Sequence, residues 1–158
     1  MVTIRLLQEQ DEPEWMRLRF ALWPHYTTAE MLDEMAMVRG DREHQPVFVA
    51  EAPGGSLCGL MEVAIHTSAP GCTTKLVGYL EAWYVDPAWR KQGIGRRLVA
   101  AAEAWASSQG CHEMASDTDL GYPLSPLAHA QLGYETVARL DTGECFFRKD
   151  LDTPMSSS

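Results

Sequence analysis

The chain has 158 residues, a hydrophobic content of 46% and a formal net charge of −9. This length allows one well-buried core, and the hydrophobic content excludes a mainly disordered protein. The acidic balance argues against a nucleic-acid partner, because binding a duplex requires a basic face. A cationic substrate and simple solubility are both compatible with this charge.

The chain has no apolar run long enough to span a membrane, and its polar start is not followed by the apolar core of a signal peptide. We therefore expect a cytoplasmic protein without a membrane partner. The four cysteines lack the paired spacing of a zinc site, so we expect free thiols and no metal. We expect residues 1–151 to form a single domain and residues 152–158 to be a flexible tail.

The beginning of the chain predicts one strand and two helices. Thr3 to Leu7 favour a β-strand, and Pro13 lies where the first turn of a helix accepts proline. Thr27 and Glu30 have capping-box spacing, which predicts the start of a second helix. Between the helices lies an aromatic break, Leu22-Trp23-Pro24-His25-Tyr26.

The middle of the chain predicts a hairpin, a long strand and a helix. Residues 47–51 and 57–65 favour strands and are joined by a segment rich in proline and glycine. Residues 76–85 predict the longest strand, and a helical apolar pattern begins at Ile94. Gly110 lies where it would end that helix.

The remaining segments complete an alternating pattern. Residues 113–118 favour a strand, a helix is expected from Ser125 to about Leu132, and two strands flank Asp141-Thr142-Gly143. The order is strand, two helices, three strands, helix, strand, helix and two strands. This order predicts an α/β fold with a mixed sheet.

The segment between the longest strand and the third helix has the features of a phosphate-binding turn. Gly93 and Gly95 lack Cβ atoms, so the backbone can bring N–H groups close to a diphosphate at a helix N-terminus. Four basic residues add positive charge: Arg90, Lys91, Arg96 and Arg97. The segment has neither the lysine-hydroxyl ending of a nucleotide-binding loop nor the three-glycine dinucleotide fingerprint.

Two sets of motifs resemble a known family. Val85-Asp86-Pro87 followed by Arg90-Lys91-Gln92-Gly93-Ile94-Gly95 resembles the acetyl-CoA motif of the GCN5-related N-acetyltransferase superfamily. The element order resembles that superfamily over nearly the whole chain. A further set of segments resembles the aminoglycoside 6'-N-acetyltransferases, the antibiotic-resistance branch of that superfamily. These segments are Leu22-Trp23-Pro24, Gly78 to Val85, Glu113 to Thr118, His129 with Leu132-Gly133-Tyr134, and Phe146 to Lys149.

The resemblance implies a mixed central sheet of about six to seven strands flanked by about four helices. It implies that acetyl-CoA is the cosubstrate, that an aminoglycoside 6'-amine is the acceptor and that the protein is a homodimer. It also implies that the backbone of Trp83, Tyr84 and Val85 pairs with the pantetheine arm. The remaining cofactor positions are Lys91, Gln92, Gly93, Ile94, Gly95 and Arg96 around the diphosphate, and Tyr122.

Two carboxylates are the candidate catalytic groups, because acyl transfer to an amine requires an acceptor for the amine's proton. Alternation along a strand places Glu81, Trp83 and Val85 on one face. Glu81 and Asp117 can each hold an ammonium group and accept its proton directly or through a water. On the residues alone, Glu81 is more simply an exposed or ion-paired strand carboxylate, and Asp117 is more simply a turn or cap residue. The resemblance favours the functional role for both.

The aromatic break supplies the other candidate substrate-binding residues. The predicted substrate-binding residues are Trp23, His25 and Tyr26, together with Glu81 and Asp117. Core packing is the commoner role for a tryptophan, but Trp23 matches the family's substrate-binding tryptophan and offers a flat wall to a sugar ring.

Several positions depart from the family pattern. Ser68 replaces a tyrosine that stacks on sugars, Tyr122 replaces an asparagine that helps to hold the cofactor, and Ala138 replaces an acidic substrate contact. The missing negative charge has four candidate sources: Asp119, Glu135, Asp141 and Glu144.

The acid that protonates the CoA thiolate stays open among Tyr122, His129 and Tyr134. A thiolate with a pKa near ~8.5 can also leave without an acid. Two other functions stay open as well: an N-acetyltransferase for another cationic amine, such as a polyamine or a protein N-terminus, and a non-catalytic CoA-binding module.

Overall fold

The computed structural model describes residues 1–118 and 125–151. The elements follow the predicted order, with ends within about two residues of those predicted. They are β1 (Thr3–Leu6), α1 (Glu12–Leu22), α2 (Thr28–Arg39), β2 (Val47–Glu51), β3 (Leu57–His66), β4 (Val77–Val85), α3 (Ile94–Ser108), β5 (Glu113–Thr118), α4 (Ser125–Gln131), β6 (Glu135–Arg139) and β7 (Cys145–Asp150). The sequence did not predict two short 3₁₀ turns, Glu9–Asp11 and Pro87–Trp89.

The strands form a seven-stranded mixed sheet in the order β1-β2-β3-β4-β5-β7-β6. β1, β2 and β3 pair antiparallel, β4 is parallel to β5, and β7 pairs antiparallel with both β5 and β6. The predicted α/β class, hairpin and mixed sheet are therefore confirmed. The position of β7 between β5 and β6 was not predicted.

The chain divides into two compact units. The first contains Met1–Ala64 and Glu81–Ala102, and the second contains Ile65–Leu80 and the described residues from Glu103 onward. The single domain over residues 1–151 stays a prediction, and the predicted tail lies outside the described residues.

Helices α1 and α2 of the first unit each bury one apolar face. Trp15 and Leu18 of α1 and Met31 and Met35 of α2 are completely buried. The predicted capping box is present, because the Glu30 N–H donates to Thr27 Oγ1 at 3.1 Å and the Thr27 N–H donates to Glu30 Oε1 at 2.9 Å. The local capping signal therefore predicts the start of α2 correctly.

In the second unit, a buried carboxylate at the start of β5 connects the loop before β4 to β7. Glu113 accepts hydrogen bonds from the Thr73 N–H at 3.0 Å, the Thr74 N–H at 2.7 Å and the Thr74 hydroxyl at 2.5 Å. Arg148 of β7 donates to the same carboxylate at 2.8 Å. These contacts fix the loop before β4 against the sheet.

The cysteines of the described chain are free thiols, as predicted. Within the same residues, no cluster of His, Cys, Asp or Glu has the size needed to hold a metal ion. None of the described helices has both the length and the apolar character needed to cross a membrane.

Candidate active site

The segment that is predicted to bind phosphate forms a turn between β4 and α3. The chain leaves Val85, passes through the 3₁₀ turn and enters α3 with Lys91 at φ 65 and Gly93 at φ 83. A left-handed conformation is strained for a lysine, and such strain is found preferentially at functional sites. No Cβ clash would arise at Gly93, so its backbone angle is the reason for glycine there.

Backbone N–H groups of this turn point out of the start of α3. The Arg97 N–H donates to the Gly93 carbonyl at 3.1 Å. The N–H groups that precede it have no acceptor within the helix, and the helix dipole favours an anion beside them. Ile94 is buried and anchors the turn. The arrangement is suited to binding a phosphate group.

The four basic side chains near the turn form two groups that differ in their contacts. Arg90 Nε donates to the Val85 carbonyl at 2.8 Å, and Arg97 donates to the Val2 carbonyl at 2.9 Å. Both therefore stabilise the local backbone. Lys91 and Arg96 are exposed. These two are the cations available to a bound anion.

Gly95 has a steric role that differs from that of Gly93. A Cβ at this position would lie 3.3 Å from Trp83 Nε1 and 3.4 Å from Trp83 Cζ2. The indole of Trp83 therefore packs directly on the first turn of α3. This contact joins the end of β4 to the turn that is predicted to bind phosphate.

The strand β4 alternates as predicted. Leu80 and Ala82 are buried, whereas Glu81 is exposed. The parallel register between β4 and β5 extends from Val77–Glu113 to Leu80–Ser116, and β4 continues to Val85 beyond it. The predicted cofactor residues 83–85 and the predicted carboxylate Glu81 thus lie on this last part of β4.

The three predicted substrate-binding aromatics lie together in the first unit. The rings of Trp23 and Tyr26 are stacked, with centroids 5.6 Å apart, and the His25 ring meets Tyr26 edge-on at 5.1 Å. Trp23 and Tyr26 are half-buried, and His25 is exposed. The break between α1 and α2 therefore offers an aromatic surface that is partly open to solvent.

A buried ion pair supports this aromatic surface, and the sequence analysis missed it. Arg19 donates to Glu62 at 2.8 and 2.9 Å, and the Trp15 indole N–H donates to the same carboxylate at 2.8 Å. The Arg19 guanidinium lies 5.0 Å from the centre of the Trp23 ring. Two signals could have predicted the pair: an arginine on the apolar stripe of α1 and a glutamate within the apolar strand β3.

Glu34 links the ion pair to Tyr26. Its carboxylate accepts a hydrogen bond from the Tyr26 hydroxyl at 2.7 Å and from Arg19 at 3.3 Å. The hydrogen bond to Glu34, together with burial, raises the pKa of Tyr26 to about 12. The Tyr26 hydroxyl therefore stays protonated at neutral pH.

The other predicted carboxylate, Asp117, lies in the second unit near the end of β5. It is exposed, and it accepts a hydrogen bond from the hydroxyl of Tyr79. The His66 ring stacks on the Tyr79 ring, with centroids 4.3 Å apart and planes 15° apart. Ser68, in the loop after β3, is exposed. The sequence analysis assigned no role to Tyr79 or His66.

Two of the three candidate acids for the thiolate have structural roles. His129 is buried, lies 2.8 Å from Ser116 Oγ and stacks on Phe147 at a centroid distance of 4.0 Å. The buried Tyr134 hydroxyl donates to Glu103 at 2.8 Å, and burial raises the pKa of Tyr134 far above its ordinary value. We therefore remove both residues from the candidate acids.

The other predicted positions are scattered or undescribed. Tyr122 and Asp119 lie outside the described residues. Glu135 forms an ion pair with Arg148 at 2.9 Å. Ala138 lies in β6, Asp141 is exposed and Glu144 is half-buried. The strand register places Ala138 of β6 opposite Phe146 of β7, and Phe146 lies opposite Asp117 of β5.

Comparison with known proteins identifies similar sequences over most of the chain. The model of the Acetyltransferase (GNAT) family matches residues 4–134. An aminoglycoside N(6')-acetyltransferase type 1 from Klebsiella aerogenes is 39% identical over 94% of this chain and 96% of its own length. A protein of the same name from Stenotrophomonas maltophilia is 36% identical over 95% of this chain and 94% of its own length.

Solved structures show the same similarity. AAC(6')-Iy, solved in complex with the bisubstrate analogue CoA-S-monomethyl-acetylneamine, has a TM-score of 0.81 and 30% identity, over 89% of this chain and 95% of the other. AAC(6')-Ih from Acinetobacter baumannii has a TM-score of 0.79 and 27% identity over the same shares of the two chains.

Proposed function

The chain belongs to the acetyltransferase (GNAT) family, and on that premise we propose that it transfers the acetyl group of acetyl-CoA to the 6'-amino group of aminoglycosides and so confers resistance to them. One observation carries this proposal: two aminoglycoside N(6')-acetyltransferases match the chain over nearly its full length, at 39% and 36% identity. The structure of a similar enzyme with an analogue that joins CoA to acetylneamine supports both substrates.

The residues at the end of β4 fit acetyl-CoA, which supplies the activated thioester. The N–H groups from Lys91 to Arg96 are proposed to hold the diphosphate, assisted by the exposed cations of Lys91 and Arg96. The backbone of residues 83–85 is proposed to pair with the pantetheine arm. The N–H of Val85 is the proposed donor to the oxygen on which negative charge develops.

The acceptor amine must lose a proton before it can attack the thioester. Glu81 and Asp117 are the proposed groups that hold the ammonium form and accept its proton, directly or through a water. Both side chains are exposed, so a cationic ligand can reach them. Trp23, His25 and Tyr26 are proposed to contact the sugar rings.

Acetyl-CoA turnover tests this function. Thiol release is measured with kanamycin, tobramycin, a polyamine and a peptide with a free N-terminus. We expect release with the aminoglycosides at rates well above the background hydrolysis of acetyl-CoA. Turnover restricted to the polyamine or peptide would select another acceptor, and CoA binding without turnover of any amine would indicate a non-catalytic module.

Substitution of the two carboxylates tests the site. Glu81→Gln and Asp117→Asn are expected to lower kcat/KM for kanamycin by at least about tenfold, since each loses a charged contact with the amine. CoA affinity, measured by calorimetry, is expected to stay the same. Asp150→Asn is the matched control, because Asp150 is an exposed carboxylate that is paired with Arg148 and has no proposed role in the site. Unchanged kinetics in both site variants would refute the assignment.

A homodimer and a cytoplasmic location are also proposals. Multi-angle light scattering tests the first, and fractionation of expressing cells tests the second. Neither outcome changes the assignment of the reaction.

A further inference from the structure

Tyr79 is a buried tyrosine whose hydroxyl contacts one of the two proposed catalytic carboxylates. We propose that Tyr79 is a positioning residue, which fixes the Asp117 carboxylate in the orientation that receives the acceptor amine. This inference rests on the proposed function, because it assigns a role within the same acceptor site. It concerns a residue to which the sequence motifs assigned no role.

The register of the sheet brings the two side chains together. Tyr79 pairs with Ala115 across β4 and β5, and Asp117 follows Ala115 by two residues. Side chains alternate along a strand, so Ala115 and Asp117 lie on one face of β5. The Tyr79 hydroxyl extends along this face to the Asp117 carboxylate and donates a hydrogen bond to it.

Tyr79 is itself held firmly in place. Only 8% of the residue is exposed, and it forms one buried cluster with Val77 and Ala115. The His66 ring covers its ring in a stacked arrangement, with centroids 4.3 Å apart. A phenol packed in this way has little freedom to change rotamer. Its hydroxyl is therefore a fixed donor.

Asp117, by contrast, is an exposed side chain. An exposed aspartate samples several rotamers, and ordering it on substrate binding costs free energy. The fixed phenol donor selects one rotamer before the substrate arrives. A carboxylate has about four acceptor positions, so the hydrogen bond from Tyr79 is compatible with a contact between the same carboxylate and an ammonium group. Asp117 is thus prepared to bind a cation.

The test compares two tyrosine-to-phenylalanine variants. Tyr79→Phe removes only the hydroxyl and keeps the ring under His66. We expect its KM for kanamycin to rise about tenfold, the effect of a lost hydrogen bond to a charged group, with CoA affinity unchanged. Tyr134→Phe removes a buried hydroxyl that donates to Glu103 at 2.8 Å, outside the proposed site, and is expected to leave KM unchanged.

A double-mutant cycle separates positioning from general loosening of the fold. Kanamycin affinity is measured by calorimetry for the CoA-bound wild type, Tyr79→Phe, Asp117→Asn and the double variant. If Tyr79 acts through Asp117, its removal changes the Kd by less than about twofold once Asp117 is replaced. Equal effects of Tyr79→Phe in the two backgrounds would overturn the proposal.

Asp117→Glu gives a second test in case Tyr79→Phe does not fold. It keeps the charge but moves the carboxylate by one methylene, so kanamycin affinity is expected to fall as in Tyr79→Phe. Unchanged affinity would contradict a positioning role. If the wild type acetylates no aminoglycoside, the proposed function is overturned. If the wild type is active and Tyr79→Phe has the same KM and Kd for kanamycin, only this inference is overturned.

Discussion

Replacing Glu113 with glutamine is expected to destabilise the protein in a pH-dependent way. Glu113 is 2% exposed and accepts hydrogen bonds from Thr73, Thr74 and Arg148. Glutamine has nearly the same size but no charge, and its NH₂ group would face donors. The variant therefore removes a charged acceptor from a site built of donors, without leaving a large cavity.

The magnitude follows from the pKa of Glu113. Burial by itself would raise this pKa, but the hydrogen bonds from Thr74, Arg148 and Thr73 together lower it from 4.5 to about 2. Because the folded state has the lower pKa, the stabilisation is complete above pH 4.5 and is lost as the pH falls towards 2. A difference of one pKa unit corresponds to about 1.36 kcal/mol, so the Glu113 carboxylate stabilises the folded state by about 3 kcal/mol at pH 7 and about 1 kcal/mol at pH 3.

Urea unfolding at pH 7 and at pH 3 measures this difference. Glu113→Gln is expected to lose about 3 kcal/mol of unfolding free energy relative to wild type at pH 7, and much less at pH 3. The matched control is Glu135→Gln, whose carboxylate pairs with the same Arg148 but is 63% exposed. We expect this control to change stability by only about 0–1 kcal/mol. An equal loss at both pH values for Glu113→Gln would refute the reasoning.

Three further substitutions are expected to have separate effects. Glu62→Gln removes the buried carboxylate that pairs with Arg19 at 2.8 Å and leaves Arg19 only the half-exposed Glu34 at 3.3 Å. The variant is expected to cost about 3 kcal/mol in urea unfolding, so a loss below about 1 kcal/mol would contradict a buried pair. Gly78→Ala places a Cβ 2.7 Å from the Cβ of Ala106, and the overpacking is expected to cost about 1–3 kcal/mol, measured as a lower Tm. Gly93→Ala strains a residue at φ 83, and calorimetry is expected to show weaker CoA binding at a stability cost of about 1 kcal/mol, whereas unchanged CoA affinity would remove Gly93 from the site.

The sequence by itself determined the element order and the local backbone features of the predicted cofactor turn. The Thr27 capping box, the alternation at Glu81 and the turn at Gly93 were all predicted, and the structure contains each of them. These features depend on residues within a few positions of one another. Helix caps, strand alternation and glycines with a positive φ can therefore be predicted from a single sequence.

Only the tertiary structure decided which distant residues meet. Arg19 and Glu62 are 43 positions apart, and Tyr79 and Asp117 are 38 positions apart. Their contacts depend on which strands and helices are neighbours, and β7 lies between β5 and β6 although the chain order does not require it. Local propensity carries no information about such pairings, because their free energy comes from burial and hydrogen bonds formed after the sheet has assembled. The sequence therefore named Asp117 as a candidate, while the structure supplied the tyrosine that holds it.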